Sequence, residues 1–265
     1  MINIIGQSKL LSKIDNYYNT KRLPKTMMFI GAYGCGKHTF AKYITEKFEL
    51  DYVEITENIT AQELDSYLYS TINTLYVIDL SKFTDKQQNQ FLKFIEEPSK
   101  SVYVLLIAPS EAGILNTILN RCIKHYFEPY TKEQIEQITN TSVNEQAFKI
   151  FQTPGKLLNL TDSSFKELLS LAGKVVHNIN KANYGNALVV STKINYKDLY
   201  NKLDFDLFLD TVEYLALEDY KINKAPQSFV VFKVTNQFKQ YSTQQRLIKE
   251  TLMLNYLTTL WEEVQ

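Results

Sequence analysis

Short apolar runs alternate with amphipathic segments over about the first 130 residues of the chain. Such runs are typical of strands buried on both faces, and the segments between them carry apolar residues at helical spacing. The predicted strands are Thr26–Ile30, Tyr52–Ile55, Leu75–Ile78, Val102–Ile107 and Ile123–Phe127. The predicted helices are Lys37–Phe48, Ala61–Thr71, Asp85–Glu97 and Gly113–Leu119, with Thr60 and Thr84 as N-caps. The pattern predicts an α/β fold with a parallel five-stranded sheet covered on both faces.

Beyond Pro129 the strand-like runs nearly vanish and the pattern becomes helical. Short helices are predicted at Lys132–Ile138, Asn144–Phe151 and Gly155–Leu160, and longer ones at Phe205–Leu217, Ser228–Gln240 and Thr243–Trp261. The apolar run Ala187–Thr192 fits a strand or a buried helix, and the sequence leaves both open. We expect three domains: a nucleotide-binding-type domain at 1–128, a small helical domain at 129–162 and an all-helical domain at 163–265.

The composition is that of an ordinary globular protein, with 45% hydrophobic and 22% charged residues. No uninterrupted apolar stretch is long enough for a membrane span, and the first residues lack the pattern of a signal peptide, so we expect a cytoplasmic protein. Lys plus Arg and Asp plus Glu balance at 29 each. This balance argues against a strongly basic surface for nucleic acid, so any contact with DNA would be local or shared with partner subunits.

The cysteines and histidines give no sign of a zinc site. There are only two cysteines, Cys35 and Cys122, and they sit inside motifs rather than at paired spacings, which excludes a disulfide framework and a four-cysteine site within one chain. The three histidines, His38, His125 and His177, lack partners at metal-ligand spacing. We expect no zinc.

The first strand leads into Gly31-Ala-Tyr-Gly-Cys-Gly-Lys37, the spacing of a phosphate-binding loop. Its glycines would let backbone N–H groups surround phosphate oxygens at a helix N-terminus, and Lys37 would reach the outer phosphates. The next residue is His38, where a Ser or Thr hydroxyl normally binds magnesium. Thr39 lies about 100° further around the helix, and imidazole is a poor partner for this hard cation. A glycine-rich turn without nucleotide is the alternative.

The third strand ends beside Asp79, a position from which an acid usually holds magnesium through water. Leu80 follows it and can neither accept a proton nor orient water, so the general base is missing here. A turn-capping acid is the alternative for Asp79. Glu96 and Glu97 form no acid–base pair, because adjacent helical residues point about 100° apart and Pro98 ends the helix; we interpret them as a helix terminus.

Two further segments carry a resemblance to a known family. Residues 89–98 read Asn-Gln-Phe-Leu-Lys-Phe-Ile-Glu-Glu-Pro, which resembles the Asn-x-Leu-Leu-Lys-x-Leu-Glu-Glu-Pro segment of DNA polymerase clamp-loader subunits. Asn120-Arg121-Cys122 resembles the Ser-Arg-Cys motif of that family, with Asn120 where Ser is usual. Together with the phosphate-type loop, these segments resemble a P-loop AAA+ clamp-loader subunit of the delta-prime type, related to gamma/tau and to replication factor C small subunits.

The resemblance implies roles for individual residues. Arg121 would act in trans as an arginine finger on the nucleotide of a neighbouring subunit, where the alternative is a surface salt bridge. Ser110 stands where the family has the sensor of the terminal phosphate, and Thr153-Pro-Gly-Lys156 looks like its sensor-two segment; an ordinary strand end and helix start would explain both. The candidate nucleotide-binding residues are Gly31, Gly34, Cys35, Gly36, Lys37, His38, Thr39, Asp79, Ser110 and Lys156, with Asp79 also the candidate magnesium ligand.

The implied function is that of a clamp-loader subunit. It would assemble with gamma/tau-like and delta-like subunits through a helical collar and help to load a sliding clamp onto primed DNA. ATP and magnesium are the implied cofactors, with little or no hydrolysis by the chain itself, because His38 and Leu80 replace catalytic residue types. Two other interpretations stay open: a self-sufficient AAA+ ATPase, and a scaffold that does not bind nucleotide.

Overall fold

The computed structural model describes residues 2–55, 59–158, 160–180 and 205–242, together with 255, 256, 258–260, 262 and 263. The chain forms two compact units, Met1–Ser142 with Thr153–Gly155, and Val143–Gln152 with Lys156–Gln265. The apolar run at Ala187–Thr192 and most of the predicted helix Thr243–Trp261 lie outside the described residues. The division into three domains remains a prediction.

The first unit is built on a parallel five-stranded sheet. Its strands are β1 Thr26–Ile30, β2 Asp51–Ile55, β3 Thr74–Asp79, β4 Val102–Ala108 and β5 Ile123–Tyr126. They lie in the order β2-β3-β4-β1-β5, and every neighbouring pair is parallel. The central strands β1, β3 and β4 are buried almost throughout, which explains their continuous apolar sequences. The predicted sheet is confirmed.

Seven helices of the first unit connect or flank these strands in its described part. They are α1 Ser8–Asn19, α2 Lys37–Phe48, α3 Ala61–Tyr67, α4 Asp85–Gln90, α5 Leu92–Glu96, α6 Asn116–Leu119 and α7 Lys132–Thr139. Thr60 and Thr84 begin their helices with capping boxes, as predicted. The helix predicted over Asp85–Glu97 is divided at Phe91, whose N–H bonds the carbonyl of Gln88, three residues back, at 3.1 Å.

Two apolar clusters cover the two faces of the sheet. Because side chains alternate along a strand, Met27 and Phe29 of β1 belong to one cluster and Met28 to the other. α1 and α2 supply buried residues such as Leu10 and Ile44 to the first cluster, while α4 and α5 flank the second. Packing on both faces fixes the carboxyl ends of β1, β3 and β4, where the candidate site residues lie.

The second unit is helical throughout its described residues. Its helices are α8 Glu145–Phe151, α10 Asp162–Asn180, α11 Phe205–Asn223 and α12 Pro226–Ser242; the short α9, Pro154–Leu157, is shared between the two units. Tyr256 is fully buried and its hydroxyl lies 2.6 Å from that of Thr235. The helical content is consistent with the predicted all-helical C-terminal part. No helix among the described residues is long and apolar enough to cross a membrane.

Candidate functional site

The strand order brings most of the candidate residues to one edge of the sheet. β3, β4 and β1 are neighbours, with Asp79 paired to Ile107 and Ile30 paired to Ala108. The carboxyl ends of parallel strands lie at the same edge, so the loop after β1, Asp79 at the end of β3 and the exposed Ser110 after β4 share this edge.

The loop 31–36 between β1 and α2 needs its glycines. Gly34 and Gly36 have φ of 79° and 91°, in the left-handed region that disfavours any residue with a Cβ atom. At Gly31 a Cβ atom would lie 2.7 Å from Cβ of Phe127. The backbone therefore has the glycine-dependent turn into a helix N-terminus that the motif predicts.

Lys37 turns back onto the carbonyl groups of its own loop. Its Nζ donates to the carbonyl oxygens of Gly31 at 2.5 Å and Ala32 at 2.9 Å, and lies 3.7 Å from Sγ of Cys35. The side chain is only 8% exposed. Burial lowers the pKa of the Lys37 ammonium, and burial likewise raises the pKa of the Cys35 thiol. In this arrangement the Lys37 ammonium is hydrogen bonded to two carbonyl groups of its own loop.

The next three carbonyl groups of the loop are bonded to other segments of the first unit. The hydroxyl of Thr153 donates to the carbonyl of Tyr33 at 3.0 Å, and the N–H of Gly155 donates to that of Gly34 at 2.8 Å. The hydroxyl of Tyr130 donates to the carbonyl of Cys35 at 2.9 Å. Together with Lys37, these donors engage every loop carbonyl from residue 31 to residue 35.

The start of α2 offers no hydroxyl in the magnesium position. Nδ1 of His38 lies 3.2 Å from the hydroxyl of Tyr52 and 4.0 Å from Oε2 of Glu54. Burial, followed by the charge of Glu54, raises the pKa of Tyr52 to about 12. Thr39 is exposed on the next position of the helix. His38 is therefore part of a side-chain contact to β2.

Asp79 and Leu80 have local structural partners. Oδ1 of Asp79 accepts hydrogen bonds from the N–H of Ser81 at 3.1 Å and from its hydroxyl at 2.6 Å. Asp79 thereby caps the short turn Leu80–Lys82, and Leu80 is fully buried in an apolar cluster of the sheet. Position 80 therefore offers no carboxylate. The side chains of His38, Asp79 and Leu80 fit a magnesium–ATP complex poorly.

Arg121 lies after α6, away from the loop in sequence. Its Nε is 2.5 Å from Oε1 of Glu96, at the end of α5, and its Nη1 donates to the carbonyl of Thr117 at 2.7 Å. The side chain is 40% exposed. The neighbouring Cys122 packs against the apolar cluster below, and burial raises the pKa of its thiol to about 12.

Lys156 lies in the second unit. Its Nζ is 2.5 Å from Oδ2 of Asp210, a carboxylate that also pairs at 2.6 Å with Nζ of Lys239. Asp210 is 7% exposed and Lys239 also pairs with Glu213. The described contacts of Lys156 are therefore those of a partly buried charge cluster among helices.

Several structurally important residues were not identified from the sequence. The side-chain amide of Gln88, which is 2% exposed, donates to the carbonyl of Gly113 at 3.0 Å and accepts from the N–H of Leu115 at 3.2 Å. It ties α4 to the loop that leads into α6. Tyr130 and Glu96 were missed as partners of the loop and of Arg121. Among the described residues no group of three or more His, Cys, Asp or Glu could hold a metal ion.

A parallel sheet with a glycine-rich loop between β1 and α2 and an acid at the end of β3 defines a P-loop domain of the AAA+ class. The family model described as "DNA polymerase III, delta subunit" matches residues 54–131, which include Glu96 and Arg121. The matches support the resemblance seen in the sequence: the chain is similar to clamp-loader AAA+ subunits, among them those of the delta-prime type.

Curated relatives match parts of the chain. The DNA polymerase III subunit delta' of Buchnera aphidicola subsp. Baizongia pistaciae is 32% identical over 93 residues, which cover 35% of this chain and 28% of that protein. The DNA polymerase III subunit gamma/tau of Mycoplasma genitalium is 23% identical over 206 residues, covering 64% of this chain and 34% of the relative. The chain thus spans about a third of the length of these relatives.

Solved structures agree on the fold. A mutant of the RuvB protein of Thermotoga maritima has a TM-score of 0.50 and 14% sequence identity to this chain, and the match covers 83% of this chain and 78% of that one. At this identity the likeness concerns the fold alone. The predicted P-loop AAA+ fold class is confirmed.

Proposed function

We propose that the chain acts as the delta-prime-like subunit of a clamp loader for a replicative DNA polymerase. It assembles with gamma/tau-like ATPase subunits and a delta-like subunit, and the complex loads a sliding clamp onto primed DNA. Arg121 serves the nucleotide of a neighbouring subunit, while the chain itself hydrolyses ATP weakly or not at all.

The observation that carries this proposal is the contrast between the chain's own phosphate loop and Arg121. The loop carbonyls are engaged by Lys37, Tyr130 and the segment 153–155, and Leu80 is fully buried where a catalytic acid would stand. Arg121 is instead 40% exposed and held by polar partners at two of its nitrogens. A planar, permanently charged guanidinium can pair with phosphate oxygens across a subunit interface.

The same contrast argues against a self-sufficient ATPase. Such an enzyme needs a base or a water-positioning group beside the terminal phosphate and a ligand for magnesium. Leu80 provides neither, and His38 contacts Tyr52. A scaffold that does not bind nucleotide agrees with the engaged loop, but it assigns no task to the exposed Arg121.

The proposal is tested by rebuilding the loader with the gamma/tau-like and delta-like subunits of the same organism. We expect Arg121→Ala to lower the clamp-stimulated and DNA-stimulated ATPase rate of the complex about tenfold or more, because an arginine finger contributes about 10³ to 10⁵ at the site it serves. Arg121→Lys should remain impaired, because an ammonium cannot form the bidentate contact. Assembly of the complex should be unchanged.

Lys86→Ala is the matched control, since it removes one positive charge from an exposed position of α4. It should leave the ATPase rate of the complex unchanged. An intact complex in which Arg121→Ala hydrolyses ATP at the parental rate would exclude the finger.

A further inference from the structure

Glu96 holds the guanidinium of Arg121. Oε1 of Glu96 lies 2.5 Å from Nε of Arg121, and the carbonyl of Thr117 accepts from Nη1 at 2.7 Å. The guanidinium thus makes an ion pair at Nε and donates a hydrogen bond from Nη1, two contacts at two different nitrogens. The arginine is therefore held in place by α5 and α6 while 40% of its side chain stays exposed.

Helix stability does not explain a glutamate at this position. Glu96 is the last residue of α5, where the negative end of the helix dipole disfavours a carboxylate. Pro98 follows two residues later, so the helix cannot continue past it. The Glu96 side chain is 41% exposed, and an ion pair at that exposure adds little to the stability of a fold.

We propose that Glu96 is a positioning residue for Arg121. The inference rests on the proposed function, in which Arg121 reaches the nucleotide of a neighbouring subunit. A long arginine side chain loses rotamer freedom when it contacts phosphate, and a carboxylate at Nε removes part of that freedom before the subunits meet. Glu96 fixes the plane of the guanidinium, and the carbonyl of Thr117 fixes its rotation about that contact.

The test uses the same rebuilt clamp loader. Glu96→Ala should lower the ATPase rate of the complex at least about fivefold, because small displacements of a catalytic group cost large factors in rate. Glu96→Asp keeps the charge on a shorter side chain and should recover part of the loss. Glu97→Ala removes the same charge from the adjacent exposed residue and should leave the rate unchanged.

Combining the substitutions separates positioning from an independent role. If Glu96 acts through Arg121, the double variant Glu96→Ala with Arg121→Ala should be no slower than Arg121→Ala alone. A double variant slower by the product of the two single effects would overturn the inference. A parental ATPase rate for Glu96→Ala, with Arg121→Ala impaired, would also overturn the inference. That outcome would not contradict the proposed function. If Arg121→Ala itself has the parental rate, the proposed function fails and the inference fails with it.

A second measurement tests the ion pair without partner subunits. Arg121 is one of three arginines in the chain, so its Nε–H signal can be assigned by comparing proton–nitrogen spectra of the parent and Arg121→Lys. Exchange of this proton with water should be slower in the parent and in Glu97→Ala than in Glu96→Ala. Equal exchange in the parent and in Glu96→Ala would overturn the inference.

Discussion

His125 on β5 is a buried imidazole without a hydrogen bond. It is 2% exposed, and both of its ring nitrogens lack a partner in the described structure. The rings of Tyr17 and Phe29 lie edge-on, each with its centroid 6.0 Å from that of the imidazole. Burial lowers the pKa of His125 to about 4, and the charge of Lys13 acts in the same direction. The folded protein therefore holds this side chain neutral at pH values where the unfolded chain protonates it.

This burial predicts a loss of stability in mild acid. The folded-state pKa lies below the unfolded value of 6.5, so the stability present above pH 6.5 declines as the pH falls toward 4. The decline amounts to about 3 kcal/mol over the whole window. We expect His125→Phe to remove most of this pH dependence, as measured by the urea midpoint at pH 7 and pH 5. His177 is exposed on α10, so His177→Phe is the control and should keep the pH dependence of stability. An equally steep pH dependence in His125→Phe would assign the acid sensitivity to other groups.

Between elements, the backbone at Gly155, at the start of α9, lies close to the backbone of the loop. A Cβ atom on Gly155 would lie 2.6 Å from Cα of Gly34 and 2.9 Å from its carbonyl oxygen. The contact is between backbones, so no flexible side chain can move aside. The engagement of the loop by the segment 153–155 thus depends on glycine at both positions.

We expect Gly155→Ala to destabilise the first unit by about 1 to 3 kcal/mol, the usual cost of overpacking. Gly173→Ala in α10 is a matched control, because a Cβ atom there meets nothing within 4 Å. It should stabilise the protein by about 0.5 to 1 kcal/mol through the lower entropy of the unfolded chain. Thermal unfolding measures both changes, and equal melting temperatures for the two variants would contradict the close packing at Gly155.

The elements that depend on local sequence could be predicted well. Buried parallel strands are continuous apolar runs, so the predicted and observed strands agree to within one residue at each end. Helix starts marked by Thr60 and Thr84 were found because capping depends on residues three apart. No helix was predicted over α1, and α6 was predicted to begin too early, at Gly113, whose φ of 79° is incompatible with a helix.

The site could be predicted only as far as its residues are consecutive. The glycine loop is a local motif, whereas Tyr130 reaches the carbonyl of Cys35 across 95 residues and Gln88 reaches Gly113 across 25. Glu96 was interpreted as a helix terminus, because its partner Arg121 comes close only when α5 and α6 pack together. Contacts of this kind form only in the tertiary fold, and no regular residue spacing in the sequence marks them.

At the scale of the whole molecule, the chain keeps an AAA+ fold while Lys37 is bonded to the carbonyl groups of its own phosphate-type loop. Phosphate oxygens would accept from the loop N–H groups and from Lys37, so the Lys37 ammonium must leave the carbonyls of Gly31 and Ala32 before it can reach a bound ATP. Each such exchange reduces the net free energy available for binding nucleotide. The fold therefore serves assembly and the placement of Arg121 in the proposed function.

The corresponding prediction is that MgATP stabilises the isolated chain very little. A ligand present at its dissociation constant adds only about 0.4 kcal/mol, so weak binding leaves the melting temperature nearly unchanged. We expect millimolar MgATP to raise the melting temperature by less than about 1 °C, by the same scaling. Lys37→Ala serves as the comparison, because it removes the ammonium that a bound phosphate would need. A rise of several degrees in the parent that disappears in Lys37→Ala would show that ATP displaces the lysine from its loop, and the chain would then be a nucleotide-binding subunit in its own right.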